Sequence, residues 1–218
     1  MKKYIQYGSG NISIEKWINY DSSPTLIIQN IPILGTLLKP KLNCEFDKEI
    51  KFGDIVKGLP EKKNTIDGIF CSHVLEHLAL EDFHIALKNT YDLLKVGGRF
   101  RCIVPNLRYF IDQYINTYEI EKKDNLKLEK SACYNFNQNS GYCQHNSRNG
   151  LLKRLHQLFS NNSHRWMWDE QSLILALEKY EFKNIKSFQF NDCDDSMFLL
   201  PEREYQFSKN AICLESFK

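Results

Sequence analysis

At 218 residues, 42% of them hydrophobic and 26% charged, the chain has room for one domain with a full core and too little for two. Its formal net charge of +2 comes from Lys and Arg interspersed with Asp and Glu, which leaves room for a modest basic patch but argues against a massed nucleic-acid footprint. The apolar stretch from Thr25 to Leu38 is broken by Gln29, Asn30, Pro32 and Gly35, too interrupted to span a bilayer.

Along the chain, Tyr4 to Tyr7 reads as a first strand ending in a glycine turn. Trp17 to Tyr20 reads as a second strand, and Glu49 to Ile55 contains a third. Ile66 to Ser72 (IDGIFCS) is a nearly continuous apolar run, as a central strand buried on both faces requires. Glu81 to Lys95 has Phe83, Leu87, Tyr91 and Leu94 on one helical face, with Gly97-Gly98 closing it. Phe100 to Val104 follows as a buried strand. Glu170 to Tyr180 reads as a helix capped by Asp169, then Lys183 to Phe190 and Ala211 to Leu214 as strands. Strands alternating with helices imply a parallel α/β sheet.

Residues 107–168 differ in kind. They are rich in Asn, Lys, Tyr and Gln, with helical stretches at Tyr109 to Tyr118 and Leu151 to Phe159 around a weakly patterned middle. Such an insertion after a core strand reads as a lid or acceptor-binding loop, or as a disordered segment. The lysines of the opening MKKYIQYGSGN precede no apolar run, which argues against a secretory leader. The seven cysteines include no CxxC, and several fall in apolar runs. Buried thiols in a reducing cytoplasm are the expectation, rather than a disulfide or zinc framework.

Gly8-Ser9-Gly10 after a strand suits any tight turn, a dinucleotide site, or S-adenosylmethionine (SAM). Only Asn11 to Lys16 separate Gly10 from the next strand, so there is no room for the helix that a pyrophosphate needs. SAM carries no phosphate and tolerates the short connection. Asp21 ends the second strand, where a carboxylate either accepts both ribose hydroxyls or simply serves the turn before Pro24.

The runs IQYGSGN, WINYDSSP, GDIVKGLP, IDGIFCSHVLEHL and LLKVGGRFRCIVPNL together resemble a type-11, class I SAM-dependent methyltransferase. The spacing, with HRWMWDEQSL and AICLES later, is most similar to predicted methyltransferases of bacterial surface-polysaccharide clusters. The resemblance covers nearly all of the chain outside residues 108–162. It implies a single Rossmann-like domain over residues 1–218. The sheet would be mostly parallel with seven strands, the last antiparallel, with helices on both faces and the lid inserted after the fifth strand.

In function it implies transfer of a methyl group from SAM to a small-molecule or glycan acceptor, at oxygen or nitrogen; cysteine usage, charge and hydropathy add the expectation of a cytoplasmic protein with no nucleic-acid partner and no membrane insertion. Gly8, Ser9 and Gly10 would approach the methionine moiety, and Asp21 the ribose. Asp54 and the Ile55 backbone would recognise adenine, and Ser72 would line the sulfonium. The chain departs from the pattern at Gln6, where an acid is usual, at Ser9 for a cysteine, and at Asn106, where Asp is common.

His73-Val74-Leu75-Glu76-His77 matches the H-x-x-E-H motif of zinc hydrolases. Because His73 follows directly from a strand, the five residues are expected to straddle a loop and a helix start, and no metal is expected. A zinc hydrolase and a catalytically inactive SAM-binding protein are the alternatives. Methyl transfer to a hydroxyl needs a base, for which His77 and His164 are the candidates. Either could instead serve structure, His77 in packing or capping and His164 on the surface. Trp166 and Trp168 suit stacking on an acceptor ring and suit core packing equally.

Overall fold

The computed structural model describes residues 2–32, 45–121, 127–141 and 163–218. Strands β1 (Tyr4–Tyr7), β2 (Ile18–Asp21), β3 (Ile50–Phe52), β4 (Ile66–Ser72), β5 (Leu94–Pro105), β6 (Lys183–Ser187) and β7 (Ala211–Phe217) form one sheet in the order β3-β2-β1-β4-β5-β7-β6. The first five run parallel, and β7 is antiparallel to both β5 and β6. This is the expected seven-stranded, mostly parallel sheet.

Side-chain alternation sorts the strands into two faces. Ile5 and Tyr7, Ile69 and Cys71, and Phe100, Cys102 and Val104 point into one core. Against it pack α2 (Leu80–Leu93), through Phe83, Ala86 and Leu87, and α5 (Glu170–Lys179), through Leu173, Ala176 and Leu177. Asp169 caps α5 as expected, accepting from the Ser172 N–H at 2.7 Å. Tyr4, Phe70 and Ile103 point the other way, into a second core with Trp17, Phe188 and Phe198.

The third strand, Ile50–Phe52, falls within the expected Glu49 to Ile55, and the Gly53 N–H continues its parallel pairing to the Asp21 carbonyl at 3.0 Å. A short helix, α1 (Pro24–Gln29), occupies part of the apolar stretch after Asp21, with Ser23 as its N-cap. Of the five described cysteines, all free thiols, only Cys71 and Cys102 are buried. No helix among the described residues is long and apolar enough to cross a membrane.

After β5 come α3 (Leu107–Glu121) and α4 (Ala132–Asn139). Expected helix Tyr109 to Tyr118 lies within α3, whereas Leu151 to Phe159 falls outside the described residues. Asn106 and Trp168 form a parallel bridge, and the Leu107 N–H bonds the Trp168 carbonyl at 2.8 Å. The chain therefore leaves the sheet after β5 and returns to the same point.

Candidate active site

The strand order reverses between β1 and β4, and the crevice beyond their carboxyl ends is where open α/β sheets take ligands. Gly8 and Gly10 follow β1 with φ of +66° and +62°, a region costly to any side chain. They differ in surroundings. A Cβ on Gly8 would overlap the Val74 side chain, so this glycine lets the turn pack against the loop after β4. A Cβ on Gly10 would meet nothing within 4 Å, so its bare backbone borders open space.

Asp21 ties this turn to the end of β2. Its Oδ2 accepts the Gly10 N–H at 2.9 Å and its Oδ1 the Ser23 N–H at 2.8 Å, leaving one acceptor position on each oxygen. Burial pushes its carboxyl above the usual range, and the two backbone bonds pull against that rise. Ser9 is held by its N–H to the Tyr20 carbonyl at 3.1 Å. No helix intervenes between β1 and β2, as the short connection predicts.

Asp54 and Ile55 lie beyond β3. Asp54 Oδ1 accepts the Val56 N–H at 2.9 Å, which curls the loop, and Asn89 on α2 donates to the Ile55 carbonyl at 2.7 Å. Ile55 is buried, so its backbone is presented at a fixed position. Ser72 ends β4, and its buried hydroxyl has no protein partner. The buried Gln6, standing where an acid is usual, also has an unpartnered side-chain oxygen. Turn, acid, loop and hydroxyl thus lie at or just beyond the carboxyl ends of β1, β2, β3 and β4.

The HVLEH run does not form one helix. His73 takes φ of +55° in the loop, with its N–H on the Ile103 carbonyl at 2.9 Å, and only Leu75–His77 make a turn of 3-10 helix. His73 and His77 thus do not share a helical face as the zinc-hydrolase motif requires. Glu76 is fully buried, with Oε1 3.1 Å from His73 Nδ1 and Oε2 unpartnered.

His164 joins this group from the returning segment, where the Arg165 and Trp166 N–H groups bond the Glu76 carbonyl at 2.7 and 3.2 Å. The His77 and His164 ring centroids are 5.1 Å apart. Burial lowers the His164 pKa, opposed chiefly by the Glu76 charge, which favours the neutral imidazole. The two tryptophans divide the roles left open for them. Trp168 is buried on Phe83 at 4.2 Å, while Trp166 stays exposed.

Sequence reasoning passed over two features. One is Glu76, noticed only as a letter of a protease motif. The other is a cavity of about 560 Å³ between α3 and α4, lined by Tyr109, Phe110, Tyr114, Phe136, Asn135 and Asn139 among others. The aromatic and amide spacing of 109–139 was its available signal.

A mostly parallel sheet with a glycine turn at its switch point is the arrangement in which open α/β proteins bind ligands. The methyltransferase-domain family matches residues 13–187, and the chain belongs to that family. Among solved structures it is similar to a SAM-dependent methyltransferase of Archaeoglobus fulgidus, at 15% identity and TM-score 0.50, covering 100% of this chain and 86% of that one. It is similar to one from Thermotoga maritima at 13% identity and TM-score 0.50, covering 100% and 83%. A Rhodobacter sphaeroides protein provisionally assigned as a zinc-dependent alcohol dehydrogenase aligns at 12% identity and TM-score 0.52, covering 100% and 84%. At such identities the likeness establishes the fold alone. No curated protein matches the chain by sequence.

Proposed function

We propose that this methyltransferase moves the methyl group of SAM to a small-molecule or glycan acceptor, at oxygen or nitrogen. One observation carries the cofactor reading: Gly10 has a left-handed backbone beside open space and lies within hydrogen-bond reach of Asp21, with no helix behind it to hold a phosphate. Ser72, buried and unpartnered, supports it further. SAM supplies a methyl carbon already activated by its sulfonium.

The protein's share is to bind and orient. Gly8, Ser9 and Gly10 present backbone to the methionine moiety, and Asp21 accepts the ribose hydroxyls on its two free acceptor positions. Asp54 and the Ile55 backbone hold the adenine, and Ser72 faces the sulfonium. The acceptor's lone pair attacks the methyl carbon, and the electrons of the broken C–S bond stay on sulfur. The acceptor's proton leaves on the side of the cleft where His77 and His164 stand.

Residues 107–168 act as the acceptor lid. The reading is supported by the closed Asn106–Trp168 base and by the aromatic cavity between α3 and α4. Tyr114→Ala with Phe136→Ala should retain binding of S-adenosylhomocysteine (SAH) yet lose methyl transfer, scored with labelled SAM against a panel of nucleotide sugars and glycan fragments. Unchanged transfer would contradict the lid assignment.

A further inference from the structure

We propose that Glu76, His77 and His164 bind one divalent transition-metal cation on the acceptor side of the cleft. The site rests on the methyltransferase reading for its purpose, not for its geometry. One ligand atom from each residue lies within 4.8 Å of the others. Three ligand atoms held tetrahedrally at about 2.1 Å from one ion lie about 3.4 Å apart, so the widest pair must close by at most roughly 1.4 Å. His77 Nε2 and Glu76 Oε1, 3.9 Å apart, need only about half an ångström.

Both imidazoles are set up as ligands by backbone carbonyls. His77 Nδ1 lies 3.1 Å from the Ser163 carbonyl and His164 Nδ1 lies 2.7 Å from the Ser140 carbonyl. A carbonyl only accepts, so each Nδ1 carries the proton and each Nε2 keeps its lone pair. The His164 ring is fixed further by Gly141, where a Cβ would lie 2.5 Å from the ring. Three separate pieces of backbone, after β4, after α4 and before α5, therefore converge on the ligands.

Glu76 is the second sign. Its side chain is 1% exposed; Oε1 faces His73 and His77, and Oε2 has no hydrogen-bond partner. A carboxylate buried with one oxygen unsatisfied is costly unless a cation completes it. His73, donating toward Oε1, would then orient the ligand as outer-shell groups do.

Two imidazoles and a carboxylate suit zinc, cobalt, iron or manganese better than magnesium, whose preference is for oxygen alone. Against a divalent ion this set leaves one net positive charge and open coordination positions. Such a centre would draw in an acceptor oxygen and lower its pKa, so that the histidines act as ligands rather than as free bases.

The test uses the full chain, stripped with chelator and titrated with Co(II) and then Zn(II). Calorimetry and visible absorption follow the metal, and SAH is titrated in parallel. One Co(II) per chain, displaced by Zn(II), is expected. Glu76→Gln and His164→Ala should each weaken it by about 100-fold, and His73→Ala by about tenfold. His164→Asn serves if either principal variant does not fold. Absence of stoichiometric binding, or binding unchanged in both principal variants, overturns the site. Failure of SAH binding with the metal result intact would instead overturn the methyltransferase reading.

Discussion

Alanine at Gly8 and alanine at Gly10 should fail in different ways, although both glycines have nearly the same positive φ. Each substitution carries a backbone cost of about 1–2 kcal/mol for an L-residue in the left-handed region. At Gly10 that is the whole penalty to folding, since the added methyl meets nothing within 4 Å. At Gly8 the methyl overlaps Val74, adding an overpacking cost of about 1–3 kcal/mol. The sums are about 1–2 kcal/mol for Gly10→Ala and about 2–5 kcal/mol for Gly8→Ala. At about 2–4 °C per kcal/mol for a chain of this size, thermal melts resolve the two.

SAH affinity should run the opposite way relative to stability. Gly10→Ala fills the open space that the proposed function gives to the methionine moiety and should lose binding while remaining folded. In a Gly8→Ala/Val74→Ala double variant the overlap is gone, so the coupling between the sites should be about 1–3 kcal/mol in the favourable direction. Gly10→Ala binding SAH with wild-type affinity, in calorimetry on a folded sample, would refute the placement of the cofactor.

Asp21→Asn should weaken SAH by about 1.5–3 kcal/mol, the scale of a charge-assisted hydrogen bond. Because burial raises the Asp21 pKa, wild-type affinity should decline with falling pH before an ordinary carboxylate would protonate, and affinity in Asp21→Asn should be flat there. Arg101→Met should cost about 3–5 kcal/mol in urea unfolding, because it uncovers buried charge. Glu215 keeps Arg99 and Lys186, at 3.5 and 3.3 Å, whereas Glu202 is left with the Asn191 N–H alone. Burial already raises the Glu202 pKa, and without Arg101 it rises further, so the stability gap should narrow as pH falls and Glu202 protonates.

What was legible in the sequence was local. Ile66–Ser72 is nearly continuously apolar because it is covered on both faces, and the short path from Gly10 to Ile18 excluded a phosphate-binding helix. The region before Pro24 reads as a turn, because the six residues of α1 are too few for a helical period to emerge. What was not legible depends on partners far apart in the chain. Arg101 stands inside the buried strand Phe100 to Val104 with no acid near it in sequence, and its partners Glu202 and Glu215 arrive from about a hundred residues on. Glu76 and His77 looked like half of a helical zinc motif, and nothing near them announced that His164 would complete the group.

The central claim is that the crevice beyond β1, β2 and β4 holds SAM. Titration calorimetry of the purified chain with SAM, SAH and NAD tests it most directly. The account predicts one SAM per chain, competed by SAH, with no heat from NAD. Binding of NAD in the absence of SAM binding would contradict it.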